Sequence, residues 1–452
     1  DRLLTADHVL LASHIDADGL TSAAVTVSAL ERADVPVTVT FENQLDEAAI
    51  DAIGAAGHDT VLLTDFGSGQ LDYLVERAQR DRFTPIVVDH HQPADAETRY
   101  HLNPLLFGIN GASELSGAGA AYCLARALGG SDNRDLAALA VVGAVGDMQA
   151  SEGELVGANA NIAAEGVEVG VLNTGTDLAL YGKQTRPLPK LLEYASDVSI
   201  PGISNDEAGA IRFLDGLDVD LKVDGDWRTW ADLTDVERTA VASGLVQRAI
   251  QRGVPASHVD GLVSTTYTLL DEPPGTELRD ASEFSTLLNA TARYERADVG
   301  LAVCLGDRNG ALHRARRLLR NHRRNLSEAL DLVKSIGVTR TDHLQWFHAK
   351  DRIRETIVGI VAGMALGTDG VDAGRPIIAF ADKSPEEVKV SARGTHRLVR
   401  QGLDLSAVMG TASAAVDGEG GGHDVAAGAT IPRGTEEDFI AAADLAVAEQ
   451  LA

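Results

Sequence analysis

The chain has 452 residues, 44% of them apolar and 4% aromatic, with a formal net charge of -28. That length allows two or three domains with cores of their own, and the longest apolar runs, 357–366 and 137–146, are too short for a membrane-spanning helix, so no membrane partner is expected. The charge argues against nucleic acid on a naive reading, but seven lysines among 39 Lys+Arg against 67 Asp+Glu make a composition suited to high salt, where self-repulsion is screened and local charge says more than the total.

In chain order, Val9 to Ala12 reads as a strand, and Thr21 to Arg32 as a helix capped near Thr21 or Ser22. Pro36 to Phe41 is a strand, Leu45 to Ala56 a helix, Val61 to Thr64 a strand, Leu71 to Arg80 a helix and Pro85 to Val88 a strand. This alternation implies an α/β fold with a parallel sheet flanked by helices, and such sheets place ligands at the carboxyl ends of their strands. Residues 113–130 and 134–146 read as buried helices. A more polar, helix-rich stretch runs from about Glu152 to Asp280, punctuated by prolines. A helix and the apolar run Val299 to Leu305 follow, then a mainly helical stretch from His313 to Leu366. The last part is a small α/β unit with strands Pro376 to Phe380 and Glu387 to Ser391, a helix over Leu405 to Ala414 and a Gly-rich loop. Cys123 and Cys304 lie in apolar segments, which predicts buried thiols in a reducing compartment. With no signal-peptide pattern at the start, a cytoplasmic location is expected.

Four acidic marks follow apolar runs: His14-Ile15-Asp16-Ala17-Asp18-Gly19, Asp65, Asp89-His90-His91 and Gly146-Asp147. In an extended segment, residues two apart face the same way, so His14, Asp16 and Asp18 could project together, with Gly19 turning the chain into the helix. Asp65 could bridge two ions with its two oxygens, His90 adds nitrogen and Asp147 adds oxygen. A mixed Asp/His set without Cys favours two Mn2+ ions, or Mg2+, over structural zinc. Two such ions form the usual clamp for displacement at phosphorus.

This set resembles the DHH phosphoesterase superfamily, with HIDADG, TDFG, VDHH and GD in the same order. Lys389 to Arg393 and Gly420-Gly421-Gly422-His423 resemble a DHHA1 domain. Leu287 to Arg293 is similar to the NAxGR motif of RecJ-type exonucleases, with Ala292 where that motif has Gly. Archaeal RecJ-like nucleases are the nearest resemblance. It implies metal ligation by Asp16, Asp18, Asp65, His90 and Asp147, with His14 at a position where bacterial RecJ proteins tend to carry Asp. His91 should face the scissile phosphate, and Asp89 should orient a histidine. The implied substrate contacts are Ser391, Arg393, Gly421, Gly422 and His423, with Asn289 and Arg293 from the NAxGR-like segment. The implied organisation is a DHH domain over 1–310, with a helix-rich insertion at about 180–280, a helical connector over 311–370 and a DHHA1 substrate-binding domain over 371–452, the active cleft lying between lobes.

Each mark has a plainer reading. A lone HxDxDG is also an acidic turn or half a calcium loop, and Gly117-Ala118-Gly119 fits close helix packing better than phosphate binding. Six arginines between His313 and Arg324 fit either a nucleic-acid-facing helix or a solvated helix paired with acids. Trp346-Phe347 fits core packing better than base stacking. What defeats the plain reading is the joint occurrence, because Asp16, Asp18 and Asp65 would repel one another strongly without metal. The leading expectation is therefore a metal-dependent exonuclease on single-stranded DNA or RNA, with roles in DNA repair or replication. The alternatives are a phosphodiesterase for short oligonucleotides or cyclic dinucleotides, and a replication scaffold that binds the GINS complex.

Overall fold

A computed structural model describes residues 1–150, 153–195, 198–368 and 370–451. Glu152, where the polar stretch is expected to start, and Ala452 lie outside the described residues. The chain divides into two compact units, Asp1–Leu318 and Leu319–Ala452.

The first unit opens with β1 (Val9–His14), α1 (Ala17–Arg32), β2 (Val37–Glu42), α2 (Glu47–Ala55), β3 (Thr60–Thr64), α3 (Leu71–Asp81), β4 (Thr84–Val88) and β5 (His101–Leu102). The five strands are all parallel in the order β2-β1-β3-β4-β5. β3 is buried along its whole length, as a parallel sheet covered on both faces requires. Leu10, Leu63 and Val87 face a core closed by Ile50 and Ile53 of α2 and Leu71 and Leu74 of α3. The chain leaves β1 for β2 on one side and returns to β3 on the other. The crevice at their carboxyl ends is thus the switch point of a doubly wound sheet, where ligands bind.

α4 (Gly117–Gly129) and α5 (Ala137–Gly146) pack with α1. Beyond them come α6 (Gly157–Glu168), β6 (Leu172–Leu178), α7 (Leu188–Glu193), α8 (Glu207–Asp215), β7 (Lys222–Val223), β8 (Asp226–Trp227), α9 (Asp235–Gln251), α10 (Ala256–Asp260) and β9 (Val263–Leu269). The helix-rich stretch therefore also holds an antiparallel pair, β6 with β9, that its polar composition did not reveal. Its helices have a separate core around Trp230, Leu191 and Leu245. α11 (Ala281–Ala292) and α12 (Ala297–Cys304) return to α1. Cys304 is buried as expected, but Cys123 is exposed.

α13 (Gly310–Ile336) spans the division between the units. The second unit continues with β10 (Thr339–Arg340), β11 (Gln345–His348), α14 (Glu355–Ala365), β12 (Ile377–Asp382), β13 (Glu387–Arg393), α15 (His396–Arg400), α16 (Leu405–Ala414), β14 (Glu419–Gly422), β15 (Ala426–Pro432) and α17 (Glu436–Leu451). Its sheet runs β10-β11-β12-β13-β15-β14. Two expectations are corrected here. Within the stretch expected to be helical, Gln345 to His348 alternates buried and half-buried residues and pairs parallel to β12 as a strand. The Gly-rich segment is an edge strand rather than a loop. A side chain at Gly420 would strike the Met409 carbonyl oxygen at 2.6 Å, so glycine is what lets α16 lie close above it. Phe347 is buried in the core, as expected. Among the described residues no helix is long and apolar enough to cross a membrane.

Candidate metal centre

The acidic marks meet at the carboxyl ends of β1, β3 and β4. α1 starts four residues earlier than its pattern predicted, because Asp16 rather than Thr21 or Ser22 is the cap, accepting the Gly19 N–H at 3.0 Å. His14, Asp16 and Asp18 therefore do not project as alternate residues of one strand. His14 ends β1, Asp16 caps the helix, and Asp18 sits buried in its first turn. Gly19 serves close approach: a Cβ there would lie 2.1 Å from the His14 carbonyl oxygen.

Asp65 occupies the centre. It is 2% exposed and adopts a left-handed φ of 63°, a conformation that costs a non-glycine residue about 1 kcal/mol or more. Its two oxygens face different neighbours. Oδ2 lies 3.6 Å from His14 Nδ1, and Oδ1 lies 3.2 Å from His90 Nε2. His14 Nδ1 is also 3.1 Å from Asp16 Oδ2, and His90 Nε2 is 3.8 Å from Asp18 Oδ2. Among the described residues, side-chain atoms that could hold a metal ion form three overlapping groups: His14, Asp16 and Asp65; Asp18, His90 and Asp147; and Asp65 with Asp89, His90 and His91, each group within 4.8 Å.

The supports were not all legible in the sequence. The Asp18 carboxylate accepts the N–H groups of Gly117 and Ala118 at 2.7 and 2.9 Å, at the amino end of α4, where helix dipoles favour anions. A Cβ at Gly117 would stand 2.3 Å from Asp65 Oδ1, so this glycine serves the site as well as helix packing. His90 Nδ1 donates to the Gly111 carbonyl at 2.6 Å, which leaves Nε2 towards Asp65. Gln149, which sequence reasoning missed, donates to both Gly111 O and Asp147 Oδ2 at 2.8 and 2.9 Å. The side-chain oxygen of Gln149 in turn accepts from Asn159 at 2.6 Å. Nothing in a lone Gln three residues after Gly146 signals this; only the folding of α6 back onto the site supplies Asn159.

Asp89 is fully buried, and its Oδ1 accepts from the His90 N–H at 2.7 Å and from His91 Nδ1 at 2.8 Å, while Oδ2 accepts from Ser68 N–H at 2.9 Å. With its oxygens so engaged, it orients His91. Asn289 Oδ1 accepts from the Ala17 N–H at 3.0 Å and so fixes the start of α1. Arg293 caps α11 within the field of Asp16. In the second unit, Ser391 and Arg393 project from β13 towards Gly359 of α14. His423 follows the edge strand, its N–H donating to the Ala426 carbonyl, and Ala426 is the register partner of Arg393. Gly421 has no atom within 4 Å of where a Cβ would stand, unlike Gly422, which presses on Ala427.

The electrostatics are those of carboxylates and imidazoles crowded together. Burial, reinforced by Asp65 and Asp147, pushes the Asp18 carboxyl up, and burial also raises Asp147. Burial works against ionised Asp65, but His14 and His90 hold it well below the usual carboxylate range. Burial would lower both histidines, yet the facing carboxylates push His14 and His90 up to about 11. Asp65 Oδ1 is buried and makes no hydrogen bond, and the donor set is all carboxylate and imidazole, so the residues fit divalent ions such as Mn2+ or Mg2+. A pocket of about 240 Å³ opens beside them, bounded by His14, Asp65, Asp89 and His91.

The Arg-rich segment lies in α13, and Arg316 there forms a two-pronged pair with Glu277 at 2.9 and 2.7 Å, the structural reading for that residue.

Three family models match the chain: the DHH family, N-terminal domain over residues 8–144, the DHH-CID domain over 180–263 and the DHHA1 domain over 343–449. An uncharacterized protein of Methanocaldococcus jannaschii is 27% identical over 452 residues, covering 98% of this chain and 94% of that protein. Among solved structures, RecJ of Thermus thermophilus in complex with Mn2+ is similar with a TM-score of 0.61 at 18% identity, over 99% of this chain. This chain spans 53% of that RecJ. An exonuclease RecJ bound to manganese gives 0.60 at 18% identity, over 99% of this chain and 91% of the other. CDC45 of Entamoeba histolytica gives 0.67 at 9% identity, over 98% and 95%. At such identities the likeness is one of fold.

Proposed function

We propose that this chain, a DHH-family protein with DHH-CID and DHHA1 domains, is a two-metal phosphodiesterase, an exonuclease that degrades single-stranded DNA or RNA from an end to mononucleotides. The observation that carries this reading is Asp65, buried and strained, with its oxygens turned to two different ligand groups and Oδ1 left without a hydrogen bond. His14, Asp16 and Asp65 would hold one ion, and Asp18, Asp65, His90 and Asp147 the other. Bound Mn2+ or Mg2+ supplies a Lewis acid for the phosphoryl group and offsets its charge.

The remaining work falls to the chain's own residues. Hydrogen bonding to Asp89 raises the His91 pKa, which keeps a proton on the outward ring nitrogen for a phosphate oxygen. The His90–Gly111 and Gln149–Asp147 bonds fix the inner ligands before substrate arrives. Ser391, Arg393, Gly421, Gly422 and His423 are proposed to hold substrate phosphates, and Asn289 and Arg293 to act beside Asp16. A replication scaffold that binds the GINS complex is a second reading, supported by the CDC45-like fold. The intact ligand set favours the enzyme.

A time course on end-labelled single-stranded DNA and RNA with Mn2+ tests the reading. Mononucleotides should accumulate, and Asp65→Ala and Asp147→Ala should abolish them. Equal rates in those variants would sink the metal assignment, and a sharp preference for dinucleotides would replace the exonuclease with a short-oligonucleotide enzyme.

A further inference from the structure

The pocket beside the metal centre has lining that the phosphodiesterase chemistry does not use. Asn43 and Gln44 follow β2, and Gln70 precedes α3. Asn43 and Gln44 are exposed and Gln70 is half-buried, and among the described residues none of the three side chains hydrogen-bonds to the protein. Leu45 and Phe66 add apolar surface, and no lysine or arginine lines the pocket.

This is an unusual wall for an anion. Phosphate sites are built from guanidinium or ammonium groups or from helix amino ends. Among the described residues, the features of this wall that could favour an anion are the amino end of α3, whose dipole Asp72 in its first turn offsets, and the His14 and His91 imidazoles, which already face Asp16 and Asp89. Primary amides, by contrast, offer N–H donors and carbonyl acceptors together. A nucleobase edge and sugar hydroxyls present the same mixture, whereas a phosphate presents acceptors alone. Phe66 and Leu45, almost wholly buried in the sheet core, show the pocket an apolar edge.

Resting on the phosphodiesterase reading, we propose that this pocket seats the terminal nucleoside of a strand. Asn43, Gln44 and Gln70 hold its base and sugar hydroxyls, so the attacked end needs no phosphate. The three amides set specificity for the end group, and the neighbouring His14, Asp65 and His91 serve the scissile phosphodiester.

The test compares one single-stranded oligonucleotide bearing hydroxyl or phosphate at each end, with Mn2+ and the full chain. At the attacked end, the hydroxyl form should match or exceed the phosphorylated form in kcat/KM. Asn43→Ala, Gln44→Ala and Gln70→Ala should each raise KM about 3- to 10-fold with kcat unchanged, the effect of one or two net hydrogen bonds. Gln44→Arg should move preference towards the phosphorylated end by about tenfold. A strict requirement for a terminal phosphate, or unchanged KM in all three alanine variants, overturns the proposal. Hydrolysis of neither strand would instead refute the phosphodiesterase reading. Fluorescence anisotropy of the oligonucleotide labelled at its far end, with Ca2+ in place of Mn2+, then carries the question. Weaker binding of the hydroxyl-ended strand by the three alanine variants supports the pocket, and equal binding refutes it.

Discussion

Gly117→Ala isolates the metal centre by adding one methyl group. The new Cβ would stand 2.3 Å from Asp65 Oδ1 and 2.8 Å from its Cβ and Cγ, where real contacts stay beyond 3.0 Å. Either Asp65 or the start of α4 must then move by at least 0.7 Å, the difference between 3.0 and 2.3 Å. Neither moves freely. Asp65 is already held at a φ of 63°, and α4 holds Asp18 through the Gly117 and Ala118 N–H groups. Overpacking of this kind costs about 1–3 kcal/mol. Metal–ligand distances tolerate only about 0.2 Å, so the larger effect falls on ion affinity, expected to weaken about 10- to 100-fold. Titration calorimetry with Mn2+ measures it directly. Melting with and without Mn2+ gives a second readout, since an ion at 100 times its Kd stabilises by about 2.7 kcal/mol. Gly166→Ala is the control: its Cβ would meet Leu172 Cδ1 at 2.6 Å, so it should lower stability and leave Mn2+ affinity intact. Wild-type Mn2+ affinity in Gly117→Ala would refute the argument that Asp65 and α4 jointly shape the site.

Three further outcomes are expected. Asp89→Asn keeps an acceptor oxygen but removes the negative charge that helps raise the His91 pKa, so the imidazole should lose its proton nearer 6.5. The alkaline limb of the activity profile should shift to lower pH and kcat should fall about 10²- to 10⁴-fold with KM little changed; an unmoved limb would show that His91 does not act protonated. Burial raises the Glu283 pKa to about 7 from an ordinary 4.5, so the folded chain binds the proton more tightly and stability falls as pH rises from about 4.5 through about 7. Glu283→Gln can still accept from Gln184 and face Thr185, and it should melt higher than wild type at pH 8, by up to about 3 kcal/mol, but not at pH 4; a difference independent of pH would contradict this. Arg316→Ala removes a two-pronged partner from the nearly buried Glu277 carboxylate and should cost about 2 kcal/mol in denaturant unfolding, somewhat less than breaking a fully buried pair. If the loss is instead below the noise, the pair is a surface contact only.

Much of the first sheet was legible because its strands are short apolar runs cut by polar turns, and both faces of each are covered. The expected strand ends fall within two residues of the observed ones for β1 to β4. The start of α1 was misread for a physical reason: Asp16 and Asp18 looked like exposed ligands in extended chain, whereas one is a helix cap and the other lies in the first turn. The Gly-rich segment near the end was misread because glycine runs resemble loops, while here they permit a strand to lie under a helix. Gln345 to His348 is too short a run for its alternation to compete with the helical pattern around it.

By itself, the sequence determined the chemistry available. It contains carboxylates and imidazoles at the ends of apolar runs, with no cysteine, lysine or arginine at the marks, and those residue types suit hard divalent cations. Only the tertiary structure decided how they are shared. The strand order β2-β1-β3-β4-β5 brings His14 and Asp65 to one switch point, and the amino end of α4 holds Asp18. Gln149 reaches Asp147 because α6 supplies Asn159. These contacts join residues up to 100 positions apart, such as Asp18 and Ala118. No local pattern encodes such pairings, because they follow from which helix covers which face of the sheet.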